Sequence, residues 1–179
     1  GLRLADMDAV ASTVGPGSFT GLRTGLAAAQ GLAYGAGLPL VGIDRYTALA
    51  ASLPNPDARP LVIAFDSKAR SLYVQALDAS LQPLPGWPAE GRNLTAEEAA
   101  AALDGLNPLL AGDGVPMLLA AGLGGEDSGH RTLSAPMAAA AAAVELAEGR
   151  TGWPPRPLYL APPRAKLPKD GGRLRARAE

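Results

Sequence analysis

Gly15-Pro16-Gly17-Ser18-Phe19-Thr20-Gly21-Leu22-Arg23-Thr24-Gly25 is the stretch on which the reading of this chain turns. It follows an apolar run, Ala9 to Val14, and precedes residues whose apolar positions recur at helical spacing. That order predicts a strand, a tight glycine turn and a helix N-terminus. Glycines at 15, 17 and 21 permit positive φ and close packing, and Ser18 or Thr20 is placed to cap the helix. Two readings of the turn stand side by side. Free N–H groups and the positive dipole end of a helix start suit a phosphate; most such turns merely connect two elements. A dinucleotide loop needs G-x-G-x-x-G, whereas three residues separate Gly17 from Gly21. A P-loop needs Gly-Lys-Ser/Thr, and the first lysine of the chain is Lys68. The spacing therefore favours a connecting turn.

Working outward, Leu22, Leu26, Ala29 and Ala33, with Tyr34 beside them, fall on one helical face. Small residues at 25, 27, 28, 29 and 31 leave the helix smooth, and Gly35 or Gly37 is placed to end it. Leu38 to Ile43 reads as a buried parallel strand, with Asp44 capping the next helix. This strand–helix alternation is that of an α/β layer. The prolines of Leu53 to Pro60 stop both helix and sheet, which divides the chain into a first part, 1–53, a second, 61–163, and a tail, 164–179. In the second part Leu61–Asp66 and Ser71–Leu77 read as a hairpin around the turn Asp66 to Arg70. Thr95-Ala96-Glu97-Glu98 is a capping box that opens a helix to about Leu103. Pro116 to Gly122 reads as a short strand, and Ser134 caps a helix from Ala135 to Glu148.

Composition narrows the function. Sixteen Lys and Arg against 17 Asp and Glu exclude a globally basic nucleic-acid binder. The chain has no cysteine, hence no disulfide framework, thiolate nucleophile or zinc-thiolate site. No apolar run is long enough to span a bilayer, so a cytoplasmic protein without a membrane partner is expected. His130 is the only histidine and sits in a polar stretch, where an exposed loop residue is the simpler reading than a metal ligand. Ser18 is not in a G-x-S-x-G elbow, because Pro16 stands two residues before it. No catalytic residue and no metal site is therefore expected. Asp66, Lys68 and Arg70 read either as a solvated hairpin tip or as polar contacts facing a cleft, and Asp113 in Gly112-Asp113-Gly114 as a turn. The tail carries six basic residues against two acidic ones. It suits a solubilising role or contact with phosphate or an acidic partner.

Gly15 to Ala50 resembles the signature region of the bacterial TsaB (YeaZ) family, most specifically in the string GPGSFTGLR. Ala64-Phe65-Asp66-Ser67-Lys68-Ala69-Arg70-Ser71-Leu72-Tyr73 is similar to the family's D-A-R…E-V-Y hairpin, with Ser67 and Lys68 in place of Ala and Arg. Arg156-Pro157-Leu158-Tyr159-Leu160 resembles its P-x-Y-L-R strand, with Ala161 in place of Arg. The family begins with a strand like ILAIDTS, a hairpin and a long helix that have no counterpart here. The chain is accordingly expected to be N-terminally truncated, with its first lobe incomplete. The resemblance implies an α/β, actin-like/Hsp70-like ATPase (ribonuclease H-like) fold of two lobes. It implies a non-catalytic partner of a TsaD-type subunit in making threonylcarbamoyladenosine, at the adenosine next to the anticodon of ANN-decoding tRNAs. A TsaE-type ATPase would join the complex, a homodimer is a further expected assembly, and tRNA would be met only through the complex. No cofactor is expected on the chain itself, ATP or ADP entering at the level of the complex. Gly15, Pro16, Gly17, Ser18, Phe19, Thr20 and Gly21 would form a structural signature turn. Leu22, Thr24, Ala28, Ala29 and Ala33 would line the partner interface, and Asp66, Lys68 and Arg70 would contact the cleft. The catalytic paralogue uses a paired-histidine metal motif, which one histidine cannot supply. A glycoprotease-like metallopeptidase or other hydrolase, and a stand-alone nucleotide-binding module, are the competing readings.

Overall fold

A computed structural model describes residues 3–55, 57–150 and 155–161. The basic tail, 164–179, lies outside the described residues. After a 3-10 turn, Leu4–Asp6, the chain forms strand β1 (Val10–Gly15), helix α1 (Phe19–Ala36) and strand β2 (Leu40–Asp44). The two strands pair in parallel. Ser18, not Thr20, caps α1, its hydroxyl accepting the Gly21 N–H at 3.3 Å. Gly37 ends the helix at φ 67°, a conformation that suits a residue without a Cβ. Leu26, Ala29 and Ala33 pack on Leu40 and Val10. Tyr34 departs from the expected face and is 86 % exposed. At 3.6 residues per turn it is rotated about 100° from Ala33, off the buried stripe.

A short helix, α2 (Arg45–Ala50), follows, capped by the Asp44 carboxylate, which accepts the Thr47 N–H at 2.8 Å. Strands β3 (Leu61–Asp66) and β4 (Leu72–Leu77) form the predicted antiparallel hairpin. They belong to a five-stranded sheet of order β5-β4-β3-β6-β7. Its other strands are β5 (Arg92–Leu94), β6 (Leu109–Ala111) and β7 (Glu126–Asp127). Alternation along β3 sends Val62 and Ala64 to one face, with helix α3 (Ala96–Ala102) and helix α4 (Val115–Ala120). Leu61, Ile63 and Phe65 go to the other face, against Tyr46 and Leu49 of α2. The strand is therefore apolar from Leu61 to Phe65.

Two expectations change here. Pro116 to Gly122 is largely helical, within α4, because Pro116 occupies a first helical turn, where its missing N–H costs nothing. Arg156 to Leu160 forms no strand; its backbone tie is the Leu158 N–H to the Val14 carbonyl, 2.7 Å. Helix α5 (Ala135–Ala147), capped by Ser134, belongs by sequence to the second part. It nevertheless packs on the first sheet, where Ala141 and Ala142 meet Val41, Ile43 and Ala48. Among the described residues β1 pairs with β2 alone, and its other side shares with α5 a groove of about 700 Å³.

The turn Gly112-Asp113-Gly114 locks the large sheet. Gly114 N–H donates to the Ala64 carbonyl at 2.9 Å and Gly112 N–H to the His130 carbonyl at 2.7 Å. Gly112 sits at φ 103°, and a Cβ there would stand 2.0 Å from the Ala64 oxygen. Gly112→Ala is expected to lower stability by about 3 kcal/mol or more, the combined result of left-handed strain and a displaced β3. Gly124, with nothing within 4 Å of a Cβ, is the control: its alanine variant should change the unfolding free energy from urea melts by no more than about 0.5 kcal/mol.

Candidate functional site

Two surfaces meet at the N-terminus of α1. The first is the exposed side of the helix. Leu22, Ala29 and Ala33 are buried in the chain's own core, whereas Thr24 and Ala28 are exposed. Gly21, Gly25, Ala28, Leu32 and Gly35 recur at helical spacing on that exposed side, and Leu32 is 54 % exposed. A Cβ at Gly25, Gly31 or Gly35 would meet nothing within 4 Å. None of the three has positive φ. Each weakens the helix by about 0.5–1 kcal/mol relative to alanine, and no contact among the described residues requires its lack of a side chain.

The second surface is a cleft of about 520 Å³ between the signature turn and the tip of the β3–β4 hairpin. The Arg45 side chain crosses its base. Arg45 Nη1 donates to the Pro16 carbonyl at 2.9 Å, and the guanidinium lies 3.8 Å from the Phe65 ring centroid. Burial pulls the Arg45 pKa below its ordinary value. At the hairpin, Lys68 Nζ donates to Asp66 Oδ2 at 2.7 Å and stands 3.8 Å from Asp113 Oδ2. The Lys68 hydrogen bond draws the Asp66 carboxyl below its usual range and raises Lys68 in turn. The Asp66 N–H donates to Asp113 Oδ1 at 2.9 Å, which ties the glycine turn to β3. Asp66 and Lys68 thus face the cleft; Arg70, at φ 59°, is exposed on the hairpin tip and does not line it.

The cleft mouth is aromatic. Phe19 and Tyr159 approach to 5.1 Å between ring centroids. Arg23 lies 3.9 Å from the Phe19 centroid and donates from Nε to the Tyr159 hydroxyl at 2.9 Å. His130 lies elsewhere, its Nδ1 3.0 Å from the Ser128 carbonyl and its own carbonyl held by Gly112. Among the described residues no group of three or more His, Cys, Asp or Glu is arranged to hold a metal. Of the charged groups that line the cleft, Asp66, Lys68 and Asp113 engage one another, and Arg45 holds the Pro16 carbonyl and the Phe65 ring. No imidazole or thiol stands beside Ser18 or Ser67, so neither hydroxyl has the adjacent base that would activate it.

Arg45 was not singled out from sequence, and Arg23, Tyr73 and Tyr159 stood only inside quoted motifs with no place in a site; Arg45, Tyr73 and Tyr159 line the cleft. One signal was present for Arg45. A cation in the first turn of a helix opposes the dipole, so an arginine directly after a capping Asp44 implies a partner outside its helix.

A family profile described as TsaD: tRNA N6-adenosine threonylcarbamoyltransferase matches residues 1–82. The Haemophilus influenzae tRNA threonylcarbamoyladenosine biosynthesis protein TsaB is 46% identical over 74 residues, 41% of this chain and 31% of that protein. Its Escherichia coli namesake is 39% identical over 74 residues, covering 41% and 32%. A Paracoccus denitrificans tRNA N6-adenosine threonylcarbamoyltransferase is 45% identical over 60 residues, 34% of this chain and 17% of that one. The matched segment thus spans about a third of the length of the TsaB relatives. Among solved structures, a Pseudomonas aeruginosa protein described as similar to peptidase YEAZ superimposes with TM-score 0.71 at 21% identity. That match covers 89% of this chain and 76% of the other. A second structure, YeaZ from Pseudomonas aeruginosa, gives TM-score 0.66 at 21% identity, covering 83% and 71%. The α/β architecture is that of the actin-like, ribonuclease H-like ATPase fold. With the GPGSFTGLR turn at the head of α1, the matched part of the chain is similar to the TsaB proteins of these two bacteria, and its fold is that of the two YeaZ structures.

Proposed function

We propose that the chain acts in the synthesis of threonylcarbamoyladenosine in tRNA, as a non-catalytic subunit that docks on a TsaD-type transferase through the exposed side of α1. The names of its relatives support the pathway. The observation that carries the docking role is the set of glycines at 25, 31 and 35. They destabilise an exposed helix with no return inside the described residues. Close approach of another backbone would supply the return, since only a surface without side chains admits it. A TsaE-type ATPase joining the same assembly, a homodimer through the same helix, a cytoplasmic location and contact with tRNA only within the complex belong to this proposal. So does the absence of a cofactor on the chain itself.

Gly31→Ala separates docking from stability. In the isolated chain it should raise stability by about 0.5–1 kcal/mol, because the new methyl meets nothing and helix propensity improves. Affinity for the TsaD-type subunit should fall several-fold, because the same methyl enters the contact. Urea unfolding and titration calorimetry measure the two effects. A variant that is both more stable and equally tight would remove the reason given for the glycines.

A further inference from the structure

The segment 155–161 crosses the first sheet on a prepared track. A Cβ at Gly42 would stand 2.5 Å from the Pro155 Cβ, and one at Gly15 would stand 2.7 Å from the Leu158 carbonyl oxygen. The backbone of Leu158 is held by Val14. Two glycines of β1 and β2 therefore leave room for this segment, Leu158 and Leu160 pack against the core around Tyr46 and Phe65, and between them Tyr159 reaches the wall of the cleft. There the hold changes character. Tyr159 is 41% exposed, stacks on Phe19 and takes one hydrogen bond, from Arg23 of α1. Arg23 is itself exposed and adjoins Thr24 on the outer side of α1. A hydrogen bond and a cation–ring contact open to water are weak, and both strengthen when water is excluded.

We infer that residues 155–161 are a latch on the cleft, fastened by Arg23, and that a partner covering the exposed side of α1 tightens it. The second half rests on the docking role proposed above; the first does not. The fastening carries information from the helix surface to the cleft mouth, because Phe19 and Arg23 belong to the helix while Tyr159 belongs to the latch.

Hydrogen–deuterium exchange on the full chain tests both halves. Tyr159→Phe removes the acceptor while keeping the ring, and Arg23→Ala removes the donor. In the isolated protein each should speed exchange in peptides spanning 155–161 at least about fivefold while leaving β3 and β4 unchanged. Unchanged exchange in both variants overturns the latch. Adding the cognate TsaD-type subunit should slow exchange of 155–161 in the wild type. In Tyr159→Phe, whose change lies off the helix, α1 should still become protected but 155–161 should not. Protection of 155–161 persisting in that variant overturns the coupling through Arg23. Absence of protection at α1 itself overturns the docking proposal and the coupling with it, and leaves the latch judged by the isolated protein alone.

Discussion

Ala28→Glu is expected to weaken association with a TsaD-type subunit at least about tenfold, ~1.4 kcal/mol or more, while the unfolding midpoint stays where it was. Ala28 lies in the middle of the exposed series from Gly21 to Gly35, with Gly25 and Leu32 on either side of it along the helix. A glutamate there keeps good helix propensity and stays in water in the free chain, so folding has no reason to suffer. In a close helix-to-helix contact the carboxylate would be stripped of water, with no partner supplied by neighbours that are glycine, alanine and leucine. The contrast with Ala29 sharpens the test. Ala29 is buried against Leu40 and Val10, so Ala29→Glu should unfold the chain and lose association for that reason alone. Calorimetric titration together with urea melts of both variants distinguishes them. Equal affinity of Ala28→Glu and the parent places the docking surface elsewhere.

The helix was legible in the sequence because several independent signals coincide there. Leu22 and Leu26 mark an inner stripe that Ala29 and Ala33 continue, Ser18 supplies the cap, and a glycine waits at the end. Which alanines face inward was harder to read. The stripe through 22, 26, 29 and 33 is half alanine, and the stripe through 21, 25, 28, 32 and 35 is small except for Leu32. Only the two leucines at the start break the tie. Tyr34 misled because aromatic bulk reads as core, whereas helical geometry turns it outward.

The cleft was legible only at its hairpin. Asp66 and Lys68 are two residues apart, so their pairing is local and a turn brings it about. The remaining contacts join distant parts of the chain: Asp66 with Asp113 across 47 residues and Arg23 with Tyr159 across 136. No periodicity reports such contacts. Strands β6 and β7 escaped for a related reason. They have three and two residues, too few for a pattern, and they exist because the edge of β3 offers hydrogen bonds to β6 and the edge of β6 in turn offers them to β7.

The second large effect concerns chemistry. Attack by a weakly nucleophilic adenine nitrogen on a carbamoyl carbon needs a positioned base or an activated electrophile. In the cleft Lys68 is held by Asp66, Arg45 by the Pro16 carbonyl and the Phe65 ring, and Asp113 by the Asp66 N–H. His130 stands away from them, occupied with the loop that contacts Gly112. The isolated chain is therefore expected to modify no tRNA, cleave no peptide and turn over no ATP. Added to a TsaD-type subunit, a TsaE-type ATPase and an enzyme that supplies the activated threonylcarbamoyl donor, it should raise threonylcarbamoyladenosine formation at least about tenfold, with Ala28→Glu losing most of that gain. His130→Ala should restore modification as well as the parent does, because its imidazole touches neither the cleft nor α1. The readout is labelled threonine incorporated into tRNA, with circular dichroism to confirm that each variant is folded. A folded His130→Ala protein that binds the TsaD-type subunit as tightly as the parent yet no longer supports modification, or peptide cleavage by the pure chain, would replace a docking subunit with an enzyme.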